Sequence, residues 1–221
     1  MIIPPSVIGS DILASQTAVA LLEAGIDQFG QFGLKATTRH VAEQANANIA
    51  SIPYYFRSKR GLYDACMHYI VDNIWQEIGP PLAHAIEQVD KLDAEQAETV
   101  FLGLIDSFCE LFLQGEDSIR WSQFIMREHA TPTAAYDIFY QRYYCHAQAL
   151  KHRLWAQCTG QSADSDRVKV QCHAVFGQVL AFLVARESLL RGMQISHIET
   201  QHIELIRNVV KAQVKAIIQN A

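Results

Sequence analysis

Residues 46–60 read NANIASIPYYFRSKR. Asparagine tolerates a left-handed backbone better than most residues, so Asn46-Ala47-Asn48 reads as a tight turn. Asn48 is then placed to cap a short helix over Ile49–Phe56. That helix holds an interior proline, Pro53, followed at once by Tyr54, Tyr55 and Phe56, and then by Arg57, Lys59 and Arg60. A core helix does not need adjacent tyrosines beside a cluster of cations, and a linker does not need Tyr-Tyr-Phe.

Working outward, Thr37 can cap a helix over Thr38–Ala45. Ser58 can cap another from Lys59 to about Ile78, which Gly79-Pro80-Pro81 is expected to end. A first helix is read over Leu13–Phe32, with Leu22, Ile26 and Phe29 on one face and Gly33 as its stop. Beyond residue 81 the periodicity of three and four continues. It gives helices over Leu82–Val89, Ala94–Leu113, Asp117–His129, Ala134–Cys158, Asp166–Gly192 and Ile198–Gln219, with Gly115 among the stops. Period-2 alternation is absent. The expected fold is all-α: an N-terminal arm and helix-turn-helix domain over residues 1–78, including the linking helix 59–78, then a larger helical domain over 79–221.

The 221 residues are half hydrophobic, with a net charge of −5 and a mean hydropathy of +0.03. No apolar run reaches the ~18 residues of a membrane span. MIIPPSVIGS lacks the pattern of a signal peptide and is read as a mobile arm. Five widely spaced cysteines with no C-x-x-C fit reduced thiols and a cytoplasmic protein. Within residues 35–60, five cations (Lys35, Arg39, Arg57, Lys59, Arg60) face one acid, Glu43, a local excess of +4 in an otherwise acidic chain. Binding phosphate requires local charge, not a basic protein.

Two short helices joined by a three-residue turn form a helix-turn-helix, whose second helix enters the major groove by its first turn. Ala50 and Ser51 are small enough for close approach there. Tyrosine hydroxyls at the far end can grip the backbone, as can Lys59 at the start of the next helix. Thr38 and Arg39 can reach a phosphate and a guanine edge. Adjacent residues on a helix point about 100° apart, and Tyr55 is read as the more exposed of its pair. Pro53 is expected to distort the helix, with a tightened 3₁₀-like turn absorbing the lost bond.

The run ATTRHVAEQANANIASIPYYFRSKRGLYDAC, with LLEAGIDQFGQFG before it, resembles the DNA-binding signature of the TetR family of transcriptional regulators. The resemblance spans about residues 15–66 and implies DNA contacts at Thr38, Arg39, Ser51, Tyr54, Tyr55 and Lys59. Asn46 departs from the usual glycine, and Pro53 from the usual tyrosine or threonine. FIMREHATPTAAY resembles the C-terminal domain of the CecR-type subgroup.

The aromatic-rich remainder is dense enough to line a ligand cavity. Candidate lining residues are Phe108, Trp121, Phe124, Arg127, His129, Tyr140 and Tyr144, although Arg127 and Glu128 also read as an ion pair or caps between helices. Small residues at helical spacing (Ala174, Gly177, Ala181) and the wide apolar face of the last helix (Ile206, Val210) are expected at a subunit interface, and the resemblance implies a homodimer. Cys145-His146 and Cys172-His173 lack metal-ligand spacing, and no catalytic motif is present. No cofactor, metal or catalytic residue is expected. The sequence is thus read as a ligand-responsive regulator, a repressor that leaves its double-stranded DNA operator when a small-molecule inducer binds. The alternatives are a helical small-molecule-binding enzyme and a protein-interaction module without DNA binding.

Overall fold

The computed structural model describes residues 8–113 and 116–221, all helix and connecting turns, with no strand among them. The expected arm and the Gly115 stop lie outside the described residues, the arm's last residues excepted. Two compact units form. One comprises the chain up to Pro80 together with Arg120–His146, and the other Pro81–Ile119 with Ala147–Ala221.

The first unit starts with α1 (Ser10–Leu13) and α2 (Gln16–Phe32), so the single first helix expected from sequence is broken at Ala14-Ser15. The physical reason is a cap: the Ser15 hydroxyl accepts the Ala18 N–H and starts α2 afresh. Gly33 ends α2 with φ +57°, where a side chain would be strained and would also meet Arg127. Then come α3 (Thr38–Gln44), α4 (Ser51–Phe56) and α5 (Lys59–Gln88). Leu21, Leu22, Ile26 and Phe29 of α2, Val41 of α3, Ile52 and Phe56 of α4 and Leu62 and Met67 of α5 form the core.

Gly79-Pro80-Pro81 does not end α5; the helix continues to Gln88 and absorbs the separate Leu82–Val89 helix. Each proline forfeits one ladder bond. The carbonyls deprived are those of Gln76 and Glu77, at exposed positions open to solvent, while Ile74, Trp75 and Leu82 on either side are buried.

The rest of the first unit is α7 (Glu116–Ala130, from Arg120), α8 (Ala134–Phe139) and a π-helical turn over Tyr140–Tyr144 that leads into α9 (Cys145–Thr159). Phe124 of α7 lies against Phe29 and Tyr63, ring centroids 6.5 and 4.7 Å away.

In the second unit, α6 (Ala94–Leu113), α9, α10 (Asp166–Val184) and α12 (Thr200–Gln219) bury Phe101, Ile105, Leu154, Trp155, Val175, Phe176, Ile206 and Val210. Arg207 and Lys211 of α12 reach Asp106 of α6, at 3.4 and 2.7 Å. The expected Asp166–Gly192 helix breaks at Ala185, where φ −100° and ψ 27° leave the helical region, and α11 (Arg186–Met193) departs at 70°. No single described helix is long and apolar enough to cross a membrane.

Candidate nucleic-acid interface

Thr37 caps α3, its hydroxyl accepting the His40 N–H at 3.2 Å. The following turn places Asn46 at φ 49° and returns the Ala47 N–H to the Ala42 carbonyl at 2.9 Å. Asn46 therefore adopts the conformation that glycine usually supplies. The Asn48 side chain accepts the Ala50 N–H at 2.8 Å. From there α4 begins later than the sequence suggested, at Ser51 rather than Ile49.

That shift explains how Pro53 is tolerated. The N–H groups of Ser51 and Ile52 bond three residues back, to Asn48 and Ile49. Ile52 thus takes the carbonyl that Pro53 cannot serve, and proline occupies the first turn of α4, where a missing N–H is cheap. The distortion is confined to this 3₁₀-like approach; Ser51–Phe56 is regular helix.

α4 buries Ile52 and Phe56 and turns Tyr54 outward at 81 % exposure. The expected order of the two tyrosines is reversed. Tyr55 is half-buried because its hydroxyl accepts a hydrogen bond from Ser15 at 2.9 Å, tying α4 to the start of α2. The rings of Tyr54 and Tyr55 meet edge to face, centroids 4.8 Å apart. Arg39 is exposed, Thr38 and Ser51 are half-exposed, and Lys59 reaches the Leu34 carbonyl with its Nζ at 2.5 Å. Gly61 permits the α4–α5 turn, since a Cβ there would lie 2.0 Å from the Phe56 carbonyl oxygen. One residue has no place in the sequence expectations, and one of the expected cations has an unexpected backbone. Ile49 is 48 % exposed next to the first turn of α4, able to meet a thymine methyl. Arg57, exposed at φ 67°, adds a cation at the far end. Neither positive φ at arginine nor an outward isoleucine has a sequence signal.

Helix α3 is braced from behind. Gln44 donates to Asp27 at 2.7 Å, and Asp27 also pairs with Arg120, which reaches Glu23 at 3.0 Å. The FIMREHATPTAAY segment belongs to this bracing. Arg127 donates to the Gly30 carbonyl at 2.9 Å and to that of Gln31, capping the C-terminal end of α2. Glu128 accepts from Tyr63 and, at 2.9 and 2.8 Å, from the Thr133 N–H and hydroxyl. Of the residues expected to line a cavity, Trp121 and Phe124 are buried core, and Arg127 is a helix cap. His129 sits among the rings of Tyr136, Phe139 and Tyr144, with Tyr140 alongside. Phe108 is in the other unit, against Phe112 and Phe176.

The interface candidates divide likewise. Ala174 and Ala181 are exposed on α10 with Gly177 half-buried between them, and Val170 and Val184 extend the same stripe. Ile206 and Val210 are 6 % and 1 % exposed and pack inside their own unit, so the outward residues of α12 are Leu205 and Val209, at 55 % and 43 %.

Residues 21–66 match the family of bacterial regulatory proteins named for tetR, and residues 97–220 match the C-terminal domain of the HTH-type transcriptional dual regulator CecR. Over 214 residues the chain is 34 % identical to the HTH-type transcriptional dual regulator CecR of Shigella flexneri, spanning 94 % of each. It is 42 % identical over 57 residues to the transcriptional regulator RutR of Escherichia coli K12, about a quarter of each chain (25 % and 26 %). A transcriptional regulator from Rhodococcus sp. Rha1 shares the fold at TM-score 0.57 and 13 % identity, over 88 % of this chain and 94 % of that one.

Proposed function

The chain belongs to the TetR family of DNA-binding transcriptional regulators, in the branch that includes CecR, and from that premise we propose how it reads DNA and how it is released. The reading carries on one observation: Tyr54 and Arg39 stand on the solvent side of a helix-turn-helix whose opposite face, Val41, Ala42, Ile52 and Phe56, is buried.

Ser51, Ile49 and Arg39 meet base edges, and Thr38, Tyr54 and Lys59 meet the phosphate backbone. Tyr55 positions α4 through Ser15 more than it touches DNA. The protein works in the cytoplasm as a homodimer, through α10 and α12. Two copies address half-sites about 34–36 Å apart or somewhat more. A small molecule held by the 79–221 domain favours one spacing of the recognition helices and weakens operator binding by its differential affinity for the two states. The protein then acts as a repressor released by its inducer and carries out no catalysis of its own.

Selection of bound fragments from the source genome, followed by gel shift, tests this. A retarded complex whose affinity falls steeply with salt is expected, because phosphate neutralisation releases counterions. No complex with any promoter-containing fragment at low salt would refute it. The Shigella flexneri relative is named a dual regulator, so a reporter assay should score activation as well as repression.

A further inference from the structure

Helix α3 carries Arg39 and is seven residues long, with only Val41 and Ala42 buried. So small an apolar contact sets where the helix lies but holds its rotation about its own axis weakly. A rotation of about 20° moves a group on the ~5–6 Å rim of a helix by about 2 Å, enough to break a bidentate bond to a base. Arg39 and Gln44 stand about 140° from each other around the helix. Gln44 therefore lies on the far side of α3 from Arg39, and its amide is pinned at both ends. Nε2 donates to Asp27 Oδ2 at 2.7 Å, and Oε1 accepts from Gln28 Nε2 at 2.8 Å.

Asp27 is held in turn from α7. Arg120 Nε donates to its Oδ1, while Nη2 donates to the Glu23 carbonyl at 2.9 Å and lies 3.0 Å from the Glu23 carboxylate. One planar guanidinium thus spans two carboxylates that sit at i and i+4 on α2 and would otherwise repel. α7 is fixed on the same side by Arg127, about two turns further on, which donates to the Gly30 and Gln31 carbonyls. The series Arg120, Asp27, Gln44 runs from α7 through α2 to the back of α3. Arg120 belongs to the stretch 97–220 that matches the CecR C-terminal domain, outside the 21–66 match.

We propose that Arg120 is a positioning residue for base reading: acting through Asp27 and Gln44, it fixes the rotation of α3 and so sets Arg39 on its base edge. The inference rests on the assignment of Arg39 to a base edge under the proposed function, and adds what holds it there. Contacts of Tyr54 and Lys59 with phosphate do not share the dependence. Attraction to a phosphate changes little over about 2 Å, whereas paired hydrogen bonds to one base edge need both distances to hold. Loss of Arg120 should blur preference at one base pair and leave the electrostatic part of the affinity in place.

Competition gel shifts with the full-length protein check this, on the selected operator with each base pair changed in turn and at two salt concentrations. Arg39→Ala marks the base pair that Arg39 reads, where discrimination should fall about tenfold. Arg120→Met, and separately Gln44→Ala, should each lower discrimination at that same base pair by about threefold or more. Both should leave the salt slope and the affinity for a duplex of unrelated sequence unchanged. Gln44 is exposed and alanine favours helix, so Gln44→Ala stays folded even where Arg120→Met does not. The two together should do no more than either alone, and neither should change preference in the Arg39→Ala background. Arg120→Lys keeps the charge without the planar fork and should behave as Arg120→Met does. A merely structural Arg120 predicts weaker binding to every duplex with discrimination intact, and that result would overturn the proposal, as would additive effects of the two variants. Preference untouched by Gln44→Ala would overturn it whatever Arg120→Met does. Arg39→Ala without effect at any base pair would remove the Arg39 assignment and this inference with it. A base pair marked by Arg39→Ala but left alone by Arg120→Met and Gln44→Ala would remove the inference only.

Discussion

Glu128 and Tyr63 meet in the interior of the first unit, the tyrosine hydroxyl donating to the carboxylate at 2.6 Å across 65 residues of chain. The carboxylate is 1 % exposed and also accepts both Thr133 donors. A buried charge is tolerated only when it is hydrogen-bonded in this way. Removing it strands three donors, so Glu128→Ala should destabilise the protein by about 3 kcal/mol or more, measured by denaturant unfolding. Tyr63→Phe leaves two of the three bonds and should lose about 1–2 kcal/mol. Equal losses for the two variants would show that Thr133 contributes nothing.

Arg39 and Lys59 should separate in DNA binding. Arg39→Ala is expected to weaken operator binding by roughly 1–3 kcal/mol and to relax preference at one base pair. Lys59→Ala should weaken all sequences evenly and lower the salt slope by about one. Because Lys59 also holds the Leu34 carbonyl, its variant should melt slightly earlier. Gel shifts on a set of single-base operator variants, at two salt concentrations, distinguish the roles.

Pro53 is exposed, and its missing N–H is covered by Ile52. Pro53→Ala should therefore destabilise the fold only by the ~0.4–1 kcal/mol of unfolded-state entropy that proline removes. A loss above ~2 kcal/mol would mean that proline shapes the approach to α4 more strongly than the hydrogen bonds indicate. Operator affinity of the same variant reports whether the 3₁₀-like approach matters to DNA.

The two phases of α12 make opposite predictions. Leu205→Glu and Val209→Glu place charge on an exposed apolar face and should yield folded monomers by sedimentation or light scattering. Ile206→Ala empties a packed site and should cost about 2–5 kcal/mol of stability without changing the mass of the species. Dissociation by Ile206→Ala and not by Leu205→Glu would reverse the assignment.

Acid should loosen the first unit through His68. Its Nδ1 accepts from Arg142 at 2.9 Å, and Arg142 also pairs with Asp72 at 2.7 Å. Burial, and then Arg142, hold the imidazole below its ordinary 6.5, against the pull of Asp72 and Asp64. The unfolded chain therefore binds this proton first, so the stability is fully present above pH 6.5 and is lost as pH falls through the depressed value. His68→Gln should flatten part of the decline in stability below pH 6.5. His152, depressed in the same direction, should supply another part.

Local backbone chemistry was legible before any fold was known. The Thr37 cap, the left-handed Asn46, the Ser58 cap of the next helix and the paired short helices each depend on atoms within one turn of each other. Side-chain chemistry within a few residues was enough to place them. What the chain could not disclose by itself were choices between two nearly equal faces and between partners far apart in sequence. Tyr55 turns inward because Ser15, 40 residues away, offers it a hydroxyl. Ile206 rather than Leu205 is core because α6 approaches α12 from that side, with Asp106 fixing Arg207 and Lys211. Arg127 caps α2 across 97 residues. α5 runs through two prolines because buried side chains on both sides of them outweigh two lost hydrogen bonds. A one-residue difference in helical phase, or one long-range hydrogen bond, is worth little locally, and only the packing of distant segments tips it.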